Sequence, residues 1–97
     1  MDSNEFLNKK IQNLVKVFRH YANRIESNDS VTDKYFNLLA DSLESILLMK
    51  IEFSEKIKAL EFVIHHADHS GIIGLAREYI ELAVEQAISF DTKEVKA

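Results

Sequence analysis

Apolar residues return along the chain at spacings of three and four, in four separate stretches. In the first, Leu7, Ile11, Leu14, Phe18, Tyr21 and Ile25 alternate spacings of four and three, which keeps one helix face turned towards a partner for about three heptads. Phe6, Val15 and Ala22 widen that seam into the stripe of a core-packed helix. A helix over 4–26 is predicted, with Ser3 as N-cap accepting a first-turn amide. The polar stretch Ser27-Asn28-Asp29-Ser30 breaks the pattern, and Ser30 with Asp33 resembles a capping box for a second helix over 31–49. Its core candidates are Tyr35, Phe36, Leu39, Leu43, Ile46 and Leu47.

Residues Met49 to Phe53 alternate apolar and polar, but no second strand offers to pair with them. They read as an extended connector. Ser54 is the expected cap of a third helix over 55–68, with Phe53 before it as a hydrophobic staple. Phe53, Ile57, Leu60, Ile64 and Ala67 carry its stripe. After the turn Asp68-His69-Ser70-Gly71, a fourth helix over 72–90 draws its apolar face from Ile72 through Ala76, Ile80 and Val84 to Ile88, with Tyr79 on the same face. Residues 91–97 read as a frayed tail. The expectation is one all-α domain over 1–97, a small bundle of about four amphipathic helices.

Composition agrees with that reading. There is no proline and there are two glycines, Gly71 and Gly74, too few for a turn-dense β fold. Without cysteine, disulfide frameworks, thiol catalysis and cysteine zinc sites fall away. No apolar run has the length that spans a bilayer, and the opening MDSNEFLNKK does not resemble a secretory signal. A cytoplasmic location without membrane contact is expected. The net charge is −4, unfavourable for a phosphate-backbone binder. Five basic residues in 1–26 (Lys9, Lys10, Lys16, Arg19, Arg24) nevertheless make the first helix weakly basic against an acidic remainder. Lys9, Lys16 and Arg19 are therefore candidates for charged contact.

Candidate chemistry is sparse. His65, His66 and His69 with Asp68 bring metal-binding residue types together, but they straddle a predicted helix end and lack the H-E-x-x-H pattern. Histidines there complement the unpaired carbonyls of a helix C-terminus. Pairs such as Glu78/Glu81 and Glu81/Glu85 have helical spacing on a polar face. A helix-turn-helix around Gly71 would aim these carboxylates at phosphates. No catalytic residue, metal or cofactor is assigned, and the chain is read as non-enzymatic.

Residues Ile46 to Ile57, ILLMKIEFSEKI, and Arg77 to Val84, REYIELAV, resemble the small enterobacterial biofilm-development regulators of the AriR/YmgB type. The resemblance covers roughly residues 35–88, resting on hydrophobic pattern and a few identities. It implies an all-helical dimer that connects two-component signalling proteins. A full extra helix ahead of the shared part departs from that family.

Val17, Leu48, Ile51, Phe62 and Leu82 fall off the four stripes. With the regular first seam they favour a homodimer or a protein partner. The interface candidates are Leu7, Ile11, Leu14 and Phe18 on the first helix, with Met49, Ile51, Phe53 and Phe62. The expected function is a small regulator acting by protein–protein contact. The alternatives are an inhibitor whose acidic body covers a basic partner, and a nucleic-acid accessory using the first helix.

Overall fold

Asp2 opens the first helix. Its Oδ1 accepts the backbone amide of Glu5 at 2.8 Å, which satisfies a first-turn donor and sets a negative charge at the helix N-terminus. Ser3, expected in that role, is instead the first helical residue, and its hydroxyl donates to Asp91 Oδ1 at 2.6 Å. In this computed structural model the described residues are 2–24, 30–67 and 71–96, with side chains described over 2–23, 34–67 and 74–93. They form four helices, α1 (Ser3–Arg24), α2 (Ser30–Leu48), α3 (Phe53–His66) and α4 (Gly71–Lys96). Ile25, Glu26, the first loop and Asp68, His69 and Ser70 lie outside the described residues, as do the side chains of Ser30 and Asp33.

Of the connector expected over Met49 to Phe53, residues 49–52 carry no regular structure and Glu52 is extended at φ −73°, ψ 161°, while Phe53 belongs to α3. The α3 cap does not fall on Ser54. Glu52 occupies that position and gives no side-chain bond; its carbonyl takes the amides of Glu55 and Lys56 at 3.1 and 3.0 Å. Starting the helix at Phe53 half-buries that ring against the core, so it does not precede the cap as a staple. At the other end, Ala67 turns extended at φ −76°, ψ 147° and is buried. Helix α4 continues past residue 90 through Lys96. The expected fraying from residue 91 is not seen, because Phe90 stacks on Phe6 at 4.4 Å and Asp91 holds Ser3.

The helices pack in sequence order around one core, α1 beside α2, α2 beside α3, α3 beside α4, and α4 back against α1. Contacts of Arg19 with Asp41, Lys56 with Leu47, Arg77 with Ile64 and Phe6 with Phe90 make each neighbour antiparallel to the last. This is an up-and-down bundle, 51 × 23 × 18 Å in extent. Phe18, Phe36, Leu43, Leu60 and Ile80 fill its centre. The α1 residues that go fully inward are Leu7, Ile11, Val15, Phe18 and Ala22, whose spacing is longer than a strict heptad. A straight helix drifts away from a seven-residue repeat, so Leu14 and Tyr21 rotate out of the predicted seam towards α4.

Candidate interaction surfaces

The core takes up five of the eight expected interface residues, three fully and two in part. Leu7, Ile11 and Phe18 are fully buried within the monomer, and Leu14 and Phe53 pack half-buried against the same core. The regular α1 spacing reflects contact with the protein's own helices, and Leu7, Ile11 and Phe18, with no surface left for a partner, are withdrawn as interface candidates; Leu14 and Phe53 keep part of their surface. Met49 is exposed beside half-buried Ile51 at the α2–α3 connector. Phe62 stands out at 65% exposure.

Phe62 forms one wall of a groove between α2 and α3, about 310 Å³ in volume. Tyr35, Leu38, Leu39 and Ser42 line it from α2, and Val63 and His66 from α3. Leu38, at 62% exposure, faces the groove opposite Phe62. The two are the most exposed large apolar side chains on this side apart from Leu48 at the connector. The His66 ring lies 4.1 Å from that of Phe62, and its Nδ1 is 2.9 Å from the Phe62 carbonyl. A carbonyl oxygen only accepts, so Nδ1 is the donor in this bond. His65 is exposed next to it. Among the described residues no three metal-ligating side chains converge, and His69 and Asp68 lie outside those residues.

The three basic candidates of α1 separate. Lys9 and Lys16 are exposed. Arg19 is already engaged, with Nη2 at 2.8 Å from Asp41 and 3.6 Å from Glu44, and Nη1 at 3.5 Å from Asn37. The hydrogen bond that Arg19 donates to Asp41 chiefly raises the Arg19 pKa; desolvation opposes it and the charges of Asp41 and Glu44 add to it. A folded value raised above the unfolded one contributes stability in full below the unfolded pKa and loses it only as pH rises through the folded value. This clamp between α1 and α2 is therefore insensitive to pH across the neutral range.

Two charged residues have structural roles that the stripes did not suggest. Lys56 is 4% exposed, its Nζ donating to Asn8 Oδ1 at 2.9 Å and lying 3.4 Å from the carbonyl of Leu47. It spans α1, α3 and the C-terminal end of α2, where unpaired carbonyls attract a cation. Arg77 donates from Nε to the carbonyl of Ile64 at 3.0 Å and pairs with Glu81 at 3.0 Å, tying α4 to the last turn of α3. Its guanidinium is thus occupied within the bundle.

No helix among the described residues is long and apolar enough to cross a membrane. Compared with protein-family models, with curated proteins and with solved structures, the chain matches none.

Proposed function

We propose that this protein is a non-catalytic regulator that works by binding another protein, with the α2–α3 groove receiving an apolar helix of that partner. The observation that supports this reading is the pairing of Leu38 and Phe62, exposed across a groove with an apolar floor. Burying two such side chains is worth on the order of 1.5–3 kcal/mol each, and an amphipathic helix offers anchors at matching i, i+4 spacing. A connector between two-component signalling proteins, as the family resemblance implies, is one form of this role. Arg19, bound to Asp41, leaves the α1 charge weaker than a nucleic-acid role requires.

Affinity capture from the native host tests the proposal, using wild type and a Leu38→Asp/Phe62→Asp variant. The partner is expected to survive nuclease and a wash at roughly half-molar salt, where surface attraction is screened, and to be lost from the variant. Retention by the variant would overturn the groove as the site. Loss at high salt would favour an inhibitor whose acidic body covers a basic surface, and loss on nuclease treatment a nucleic-acid accessory.

A further inference from the structure

The opposite side of the bundle presents a second apolar face, independent of the groove. Where α1 and α4 lie side by side, Val17, Tyr21, Leu75, Tyr79 and Leu82 are each 40% to 51% exposed. Leu75, Tyr79 and Leu82 follow one another at i, i+4 and i+7, and Val17 and Tyr21 at i and i+4, so they form stripes rather than scattered contacts. The edges of this face are charged. The outer flank of α1 carries Lys9 and Lys16, seven residues apart, and the outer flank of α4 carries Glu78 and Glu85, also seven apart. All four are exposed, and none has an ion pair among the described residues.

The register of the two helices relates these charges. Phe6 stacks on Phe90, Lys10 and Gln86 line one groove, and Tyr21 and Leu75 line one cavity. On that antiparallel ladder Lys9 lies level with Glu85, and Lys16 level with Glu78. Within one molecule the members of each pair stand on opposite edges of the face, with Val17, Tyr79 and Leu82 towards the Lys16–Glu78 level and the polar Lys10, Asn13 and Gln86 towards the Lys9–Glu85 level.

The geometry points to a second copy of this chain as the occupant of the face, related by a twofold axis parallel to the helices. That rotation sets α1 of one copy over α4 of the other without changing its height along the bundle. Lys9 meets Glu85 of the second copy, Lys16 meets Glu78, and the symmetry repeats both pairs. A twofold perpendicular to the helices sets α1 against α1, lysine edge against lysine edge, and is disfavoured by repulsion. The face is thus complementary to itself in one arrangement. Two helices side by side over about five turns present on the order of 500 Å² per copy, close to the ~1,000 Å² total where specific interfaces begin.

Sedimentation equilibrium of the full chain at about 50 mM salt, where rim charges are weakly screened, tests the arrangement. Three proteins are compared with wild type: Lys9→Glu/Lys16→Glu, Glu78→Lys/Glu85→Lys, and Leu82→Glu. Wild type is expected to dimerise, and each charge-reversed protein to associate roughly tenfold or more weakly, since every rim pair becomes a repulsion. An equimolar mixture of the two restores all four pairs and should return to within about threefold of wild type. Leu82→Glu should be monomeric with an unchanged helical spectrum. A monomeric wild type overturns the proposal, as does a mixture that associates no better than its components. Tighter association of Lys9→Glu/Lys16→Glu alone overturns it too, because every rim pair of this arrangement would then set carboxylate against carboxylate.

Discussion

Lys56 holds a core position although it carries a charge. It follows Phe53 by three residues and precedes Leu60 by four, a spacing that belongs to the buried face of α3. The structure buries it there and supplies Asn8 Oδ1 at 2.9 Å as its nearest acceptor. A buried ammonium tolerates the loss of a partner poorly, whereas an apolar residue of similar volume avoids the desolvation cost altogether. Asn8→Ala is therefore expected to lower unfolding free energy by about 2 kcal/mol in wild type and by less than about 0.5 kcal/mol in a Lys56→Met background. Urea unfolding of the four proteins in this cycle measures the difference. Equal losses in both backgrounds would mean that Asn8 acts through packing rather than through the ammonium. The exchange of roles between Asp2 and Ser3 is a smaller case of the same kind. Both residue types cap helices, and only the position of Asp91 across the bundle draws the serine hydroxyl away.

At the scale of the helices, periodicity carried most of the architecture. The four elements, the extended connector at 49–52 and the core roles of Phe36, Leu43, Leu60 and Ile80 all follow from spacing, because an apolar stripe on a soluble helix must find cover. The same signal could not distinguish a stripe covered by the chain itself from one covered by a partner. That is why Leu7, Ile11 and Phe18 entered the expected interface and are found in the core. Phe62, Leu82 and Val17 are set off the stripes and are exposed, and so are Leu38 and Leu75, which stand beside the stripe residues Leu39 and Ala76 and share their elements but not their faces. The length of α4 was underestimated for a related reason. Residues 91–96 lack an apolar stripe of their own, and their helix is extended from the ring stack of Phe90 on Phe6, 4.4 Å apart and 5° from parallel. Phe90→Ala should cost about 1–2 kcal/mol for the lost half-buried ring. It should also speed amide exchange in the last turns of α4 while leaving Ile80 to Ala87 protected. Unchanged exchange beyond residue 90 would show that the stack does not hold that end.

For the whole molecule, the uneven charge noted along the chain becomes a spatial pattern, basic on the outer flank of α1 and acidic on that of α4. If folding and self-association are linked through the α1–α4 face, stability depends on concentration. The Tm of wild type is then expected to rise by roughly 5 °C over a hundredfold increase in protein concentration, and that of Leu82→Glu to stay constant. A concentration-independent Tm in wild type would leave the folded monomer as the unit of stability. The bundle also brings the Ser3 end of α1 and the Asp91 turn of α4 together at one pole, joined by a 2.6 Å hydrogen bond. The groove between Leu38 and Phe62 sits towards the other pole, near Tyr35 and His66. Anything fused to either end of this chain would thus leave from the same side of a rod 51 Å long. The groove would be carried on the flank of the rod's far half, clear of whatever is attached.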